Sequence, residues 1–345
     1  MINLAKHFIK IFLTNLDLSK LNKVLIIRLS SLGDILLTTP FIRSLKNQYP
    51  KIEIDFILRE EYSDLLKLNP HLSKVYHYNR TEKDNFSILA EIKKTNYDLI
   101  IDLQNNLRSK KVFSDNNPQI LRFSKNSWKK FLLVNFKINK LQDEPQIPDR
   151  YANTIPNFRL DDKGLELFTD KITDTRLINK NNLIGLCPGA RHYTKRWLKE
   201  YFIELGNKLT KAGYTIVLLG GKIDKELCAE IAKEIPGSID ESNSDDILQI
   251  AADMKMCNAV VCNDSGLMHT ASAVGTKVIA IFGSTVKEFG FTPYNCRNLI
   301  LENNSLTCRP CSHIGRSSCP KKHFDCMKLI KPDFVFEKVI SLIST

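Results

Sequence analysis

Three polar turns in this chain each follow an apolar run and carry side chains suited to chemistry. Ser30-Ser31-Leu32-Gly33-Asp34 comes after Val24–Leu29. Pro188–Trp197 comes after Leu183–Cys187 and holds Arg191, Lys195 and Arg196. Asn263–His269 comes after Ala259–Cys262 and holds Asp264, Ser265, Gly266 and His269. An acid at the carboxyl end of a strand suits a general base. A basic loop, together with a helix that opens on small polar residues, suits a diphosphate. The first N–H groups of such a helix have no intrahelical acceptor and point at an anion. No GxGxxG follows a strand and no Walker motif occurs, so neither a dinucleotide fingerprint nor a P-loop accounts for the turns.

Each of these residues also fits a structural role. Asp34 and Asp264 suit helix N-caps. His269 suits a buried core histidine, and Lys195 and Arg196 suit surface charge ahead of a helix. A separate cluster, Cys308-x2-Cys311-x7-Cys319-x6-Cys326 with His313 and His323 nearby, has metal-like spacing. Thiols packed in a loop, or paired, fit it as well. Cys187, Cys228, Cys257, Cys262 and Cys296 mostly lie in apolar segments and read as small core residues.

The elements that must hold these turns alternate. Strands are predicted at Val24–Leu29, Ile52–Leu58, Val75–Tyr78, Tyr97–Leu103 and Gln119–Phe123. Helices are predicted at Ile35–Gln48, Glu61–Leu68 and Asn85–Lys94. Leu141–Asp162 is polar, contains Pro145, Pro148 and Pro156, and reads as an inter-domain linker. The alternation then restarts, with strands at Leu183–Cys187, Thr215–Leu219, Ala259–Cys262 and Lys277–Phe282. Helices are predicted at Leu198–Ala212, Asp224–Ile235, Ile247–Cys257 and Lys331–Ile343. This is the pattern of two doubly wound α/β domains with parallel sheets, which take ligands at the carboxyl ends of their strands. The expected division is an N-terminal segment 1–20, domains 21–160 and 180–330, and a C-terminal helix 331–345.

The 345 residues are 43% apolar and 26% charged, with a formal net charge of +12. Such a field favours anionic partners and says nothing of fold. No nucleic-acid recognition motif accompanies the charge, so nucleic acid is not expected as a partner. No apolar run approaches the ~18 residues of a membrane span. The N-terminus lacks the pattern of a signal peptide. A cytoplasmic protein with reduced thiols is the expectation. Ile2–Leu16 reads as a short helix with Leu4, Phe8, Ile9, Phe12 and Leu16 on one face and Lys6 and Lys10 on the other. That pattern fits a membrane surface or the protein's own core.

Four segments, Arg28–Pro40 (RLSSLGDILLTTP), Asp102–Arg108 (DLQNNLR), Pro188–Trp197 (PGARHYTKRW) and Asn263–His269 (NDSGLMH), together resemble the lipopolysaccharide heptosyltransferases. These are ADP-heptose-dependent glycosyltransferases of GT-B fold. The resemblance runs from about Lys23 to Ile330 in the family's order and spacing. It implies two Rossmann-like domains facing across a cleft, 21–160 binding acceptor and 180–330 binding donor. Asp34 matches the base on the acceptor hydroxyl, and Lys195 the lysine at the donor phosphates. Arg196, Asp224, Asp264, Ser265, Gly266 and His269 fall on the donor side, and Asn105 and Arg108 on the acceptor side. No cofactor and no metal is implied. The implied partners are ADP-heptose, a Kdo- or heptose-terminated lipid A acceptor, and peripheral contact with the inner membrane. One carboxylate base without a second nucleophilic carboxylate points to a single inverting displacement. Two alternatives share the architecture: transfer of another sugar from another nucleotide, and epimerisation of a sugar nucleotide, which needs no acceptor.

Overall fold

The computed structural model describes residues 16–79, 85–112, 119–169, 175–243 and 246–344. The amphipathic segment Ile2–Leu16 therefore lies, but for Leu16, outside the described residues. The chain forms two compact units, Met1–Lys125 with Ile147–Lys163, and Asn126–Gln146 with Gly164–Thr345.

The first unit is built on five parallel strands: β1 (Lys23–Ile27), β2 (Glu53–Arg59), β3 (Lys74–Tyr78), β4 (Leu99–Asp102) and β5 (Gln119–Arg122). Their order is β3-β2-β1-β4-β5. Val24 to Ile27 are buried, as a continuous apolar run in a sheet covered on both faces requires. Ile27 aligns with Asp102 where β1 meets β4. The strand order reverses at that pair, so the loops leaving β1 and β4 part and open a crevice above the sheet.

The helices include α1 (Leu32–Leu36), α2 (Thr39–Gln48), α3 (Phe86–Lys94) and α4 (Leu107–Val112). The single helix expected over Ile35–Gln48 is thus two. Proline is tolerated only in a first turn, where its missing N–H has no acceptor to lose, and Pro40 opens α2. Thr38 and Thr39 donate their hydroxyls to the carbonyls of Ile35 and Leu36 at 2.6 and 2.7 Å, satisfying the end of α1. The helix expected at Glu61–Leu68 is a 3-10 turn over Glu60–Leu65. After β5 come α5 (Ser127–Phe136), which groups with the second unit, and α6 (Ile147–Ala152). The stretch expected as a linker is therefore structured. Tyr151 is fully buried and packs edge-on against Phe123 at 4.8 Å. Asp161 forms an ion pair with Arg43 at 2.7 Å.

The second unit holds β6 (Leu183–Cys187), β7 (Thr215–Leu218), β8 (Ile239–Asp240), β9 (Ala259–Asn263), β10 (Lys277–Phe282) and β11 (Asn298–Glu302). All pair parallel in the order β11-β10-β9-β6-β7-β8. Here the order reverses between β6 and β9, where Cys187 aligns with Cys262. The helices are α7 (Lys199–Lys211), α8 (Lys225–Lys233), α9 (Ile247–Met256), α10 (Gly266–Ala273), α11 (Asp325–Lys328) and α12 (Pro332–Ser344). One core layer joins Phe202 and Leu205 of α7, Ile231 of α8, and Val335 and Val339 of α12 to one face of the sheet. The opposite layer uses Met254 of α9, and Met268 and Ala271 of α10. The C-terminal helix is therefore part of this core.

Candidate active site

In the first unit the turn after β1 is organised around Asp34. Ser31, not Asp34, is the N-cap of α1, and Asp34 is its partner in a capping box. Ser31 donates its N–H and its hydroxyl to Asp34 Oδ2 at 3.1 and 2.7 Å. The other carboxylate oxygen, Oδ1, lies 2.5 Å from Nη2 of Arg28. Arg28 is itself buried, donates from Nη1 to the carbonyl of Leu103 at 2.6 Å, and has its guanidinium over the ring of Tyr151 at 5.6 Å. Burial pushes the Asp34 carboxyl up, but Arg28 and the Ser31 hydrogen bonds outweigh it and hold the group below the usual carboxylate range. Arg28 belongs to the motif but was not among the residues expected to act. Its signal is a cation at the very end of a buried apolar strand, where only a paired charge is tolerated.

The turn after β4 is built on buried Asp102. Its Oδ1 accepts from the N–H groups of Gln104 and Asn105 at 3.0 and 2.7 Å, and its Oδ2 from the Ser109 hydroxyl at 2.8 Å. Gln104 in turn accepts from the Ser30 N–H at 3.1 Å, which ties the β4 turn to the β1 turn. Asn105 sits at a φ of 42°, in the left-handed region that asparagine tolerates. Its side chain donates to the carbonyl of Phe123 at 2.9 Å. Arg108 is exposed in the first turn of α4.

In the second unit Lys195 and Asp264 meet, with Nζ 2.7 Å from Oδ2. The Thr285 hydroxyl donates to the same oxygen at 2.6 Å. Asp264 is therefore not the N-cap of α10. Ser265 is, although its side chain makes no capping bond, and its buried Oγ has no hydrogen-bond partner among the described residues. Gly266 opens α10, and His269 is buried in the same helix at 4% exposure. Asn263, fully buried, fastens the β6 turn to the end of β9. It accepts from the Trp197 N–H at 2.9 Å and donates to the carbonyl of Pro188 at 2.8 Å. Arg196 uses its Nε on the carbonyl of Ala190 at 2.7 Å, so part of its guanidinium closes its own loop. Asp224 is buried at the N-cap of α8 against Gly189. A Cβ at Gly189 would stand 2.1 Å from Asp224 Oδ1.

All nine cysteines are free. Cys308, Cys311, Cys319 and Cys326 line one small cavity with His323. Among the described residues no three His, Cys, Asp or Glu side chains are grouped so as to hold a metal ion. Burial pushes the Cys326 thiol up to about 11, which keeps it protonated at neutral pH. The loop has a visible structural task. Arg309 donates to the carbonyls of Gly283 and Thr285 at 2.5 and 2.8 Å and pairs with Glu302 at 2.9 Å. It thereby holds the segment that brings Thr285 to Asp264.

Two parallel doubly wound units, each with charged and polar turns beside its switch point, make this a doubly wound α/β protein of the kind that takes ligands at the carboxyl ends of its strands. A model of glycosyltransferase family 9 (heptosyltransferase) matches residues 86–322, and the chain belongs to that family. It is a glycosyltransferase of the lipopolysaccharide heptosyltransferase type. The lipooligosaccharide heptosyltransferase 2 of Campylobacter jejuni is 30% identical over 326 residues, spanning 90% of this chain and 95% of that relative. Among solved structures, a family 9 glycosyltransferase from Veillonella parvula superposes with a TM-score of 0.73 at 20% identity, covering 95% of this chain and 98% of the other. The E. coli ADP-heptose lipopolysaccharide heptosyltransferase II superposes at 0.70 with 22% identity, covering 93% and 98%. The fold is the GT-B fold of these enzymes.

Proposed function

We propose that the protein transfers heptose from ADP-heptose to the inner core of lipopolysaccharide, using a Kdo- or heptose-terminated lipid A as acceptor. What supports this reading is one topological fact. The four motif segments leave β1, β4, β6 and β9, the four strands that flank the two switch points.

In this reading Asp34 takes the proton of the acceptor hydroxyl. The hydroxyl oxygen attacks the anomeric carbon, the bond from that carbon to the phosphate oxygen breaks, and ADP leaves with the bonding pair. A single carboxylate gives inversion. Lys195, Arg196 and the free N–H groups where α10 opens at Ser265 and Gly266 meet the charge that grows on the diphosphate. Asp264 aims Lys195, and with His269 stands beside the heptose and phosphates. Asp224 lies on the nucleoside side. Asn105 and Arg108 serve the acceptor. Arg28 fixes the carboxylate of Asp34 as a positioning residue.

A basic protein with an anionic glycolipid acceptor works at the cytoplasmic face of the inner membrane as a peripheral protein. Among the described residues no helix is long and apolar enough to cross a membrane. The test is a panel of nucleotide sugars against truncated lipid A acceptors, read by mass spectrometry. The expected product carries one added heptose, and forms only when ADP-heptose and acceptor are both present. Turnover of the sugar nucleotide without acceptor would identify an epimerase, and addition of a different sugar would overturn the donor assignment.

A further inference from the structure

Lys125 is a cation that the proposed reaction does not use, and it stands in the turn after β5. That turn is laced to the turn after β4. Phe123 donates its N–H to the carbonyl of Asp102 at 3.0 Å and accepts at its own carbonyl from the Asn105 side chain at 2.9 Å. The Phe123 ring packs on Tyr151, the same ring that Arg28 lies over. Lys125 follows two residues later, half-buried and in the same unit as Arg28, Asp34 and Asp102. Burial, and after it the like charge of Arg28, hold its ammonium below the usual lysine range, while Asp102 and Asp34 pull the other way.

Lys125 makes no hydrogen bond or ion pair with another described residue. The two carboxylates nearest to it in charge are already taken. Asp34 Oδ1 faces Arg28, and Oδ2 accepts twice from Ser31. Asp102 Oδ1 accepts from the N–H groups of Gln104 and Asn105, and Oδ2 from Ser109, with Arg122 Nε 3.9 Å away. Donors outnumber acceptors around them. Arg28 Nε and the Tyr151 hydroxyl are buried with no hydrogen-bond partner among the described residues. A lysine held partly out of water beside an arginine, with no carboxylate of its own, costs the fold stability. Groups of this kind persist where function requires them. The ligand chemistry that suits such a set of donors is an oxyanion.

We infer that Lys125 is an acceptor-binding residue, its ammonium taking an anionic oxygen, of a carboxylate or a phosphate, carried by the acceptor close to the hydroxyl presented to Asp34. The assignment rests on the reading of Asp34 as the base and of the acceptor as an anionic glycolipid. Holding Asp34 in place is not its task, since Arg28 and Ser31 already fix both oxygens of that carboxylate.

The test uses the full chain and a deacylated, water-soluble acceptor in three forms: intact, with its sugar carboxyl reduced to an alcohol, and with its phosphates removed. Acceptor binding is measured by calorimetry with ADP present, which fills the donor side without reacting. Lys125→Met keeps the apolar stem and removes the charge. Affinity for the intact acceptor should fall roughly tenfold or more, the scale of a lost hydrogen bond between charged groups, and the acceptor KM should rise to match. The kcat and the affinity for ADP should stay unchanged, and the melting temperature should not fall. Lys125→Arg should retain more of the affinity. One modified acceptor should bind the unaltered chain and Lys125→Met equally, and it identifies the anion as carboxylate or phosphate. Equal affinity of both chains for the intact acceptor overturns the assignment, as does the same fold-loss in Lys125→Met on all three acceptors. A lower melting temperature with an equal loss of ADP affinity makes Lys125 a structural residue instead. If acceptor binding depends on Lys125 but no heptose is transferred, the acceptor contact stands and the proposed reaction fails.

Discussion

Arg28 and Asp34 form a single charged unit at the end of β1, with Nη2 and Oδ1 2.5 Å apart. Neither residue is well placed alone. Arg28 is buried in the wall of the first sheet, where an unpaired guanidinium would be strongly unfavourable. Asp34 would be pushed toward its protonated form by the same surroundings. Together they keep the carboxylate ionised throughout the neutral range and fixed in direction by Ser31 on its other oxygen. A base held in this way is weaker than one with a raised pKa, and in return it is always in the form that accepts a proton.

Replacing Arg28 with Met should raise the Asp34 pKa from its depressed value. In the native chain the folded carboxyl lies below its ordinary value. Its contribution to stability is therefore complete above the unfolded carboxylate pKa of about 3.9, and is lost as pH falls through the depressed folded value. Without Arg28, burial is the largest remaining influence and drives the carboxyl upward. The acid limb of the kcat/KM profile should move to higher pH in Arg28→Met and move less in Arg28→Lys. Superimposable acid limbs in all three proteins would show that Arg28 does not govern the carboxylate.

Asp34→Asn keeps an oxygen for the Ser31 hydrogen bonds while removing the base. Turnover should fall by about 100-fold or more, the usual contribution of a positioned general base. The affinity for ADP-heptose, measured by calorimetry, should stay close to that of the unaltered chain. Near-normal turnover would remove Asp34 from the reaction. An equal loss of donor affinity would make it a donor contact instead of a base.

Lys195 is directed by a carboxylate that is itself directed by Thr285. Asp264→Asn retains an acceptor for the Thr285 hydroxyl but loses the charge that holds the ammonium. Donor binding should weaken by roughly tenfold or more, the scale of a lost hydrogen bond to a charged group. Thr285→Val leaves the Lys195–Asp264 pair in place and should weaken it less. Calorimetry with ADP distinguishes the two, and unchanged binding in Asp264→Asn would separate Lys195 from the donor phosphates.

The sequence made the scaffold legible wherever one physical signal dominated. Val24–Ile27, Ala259–Cys262 and Lys277–Phe282 are continuous apolar runs with β-branched residues, and each is a buried parallel strand. The turns after these strands were legible for the same reason, since polar residues that break such runs fall at strand ends. Less was visible where tertiary contacts decide. The polar, proline-containing stretch around Ile147–Ala152 looks like a linker until Tyr151 and Arg150 are seen buried. β8 and β11 are short or half-buried edge strands, and α5 has aromatic side chains on its outer face, so none carries a clear period. Arg28, Asn263 and Thr285 act by holding other residues. That role depends on neighbours distant in the chain, such as Asp264 for Thr285 and Trp197 for Asn263, and no spacing rule announces it.

Gly189 should prove indispensable for the position of Asp224. A Cβ there would meet the Asp224 carboxylate at 2.1 Å from Oδ1 and 2.2 Å from Cγ, closer than atoms can stand. The clash is with a buried side chain at the start of α8, so it has little room to swing away. Gly189→Ala should therefore destabilise the chain by about 1–3 kcal/mol, the usual cost of overpacking a filled interior, and weaken ADP binding by moving the β6 turn. Gly213→Ala provides the contrast. Its φ of +88° strains any side chain, yet a Cβ meets nothing within 4 Å. It should lower the melting temperature without altering ADP affinity. If Asp224 is the obstacle, Asp224→Ala combined with Gly189→Ala should recover part of the lost melting temperature. A double variant no more stable than Gly189→Ala would show that the backbone of the β6 turn, and not the carboxylate, requires the glycine.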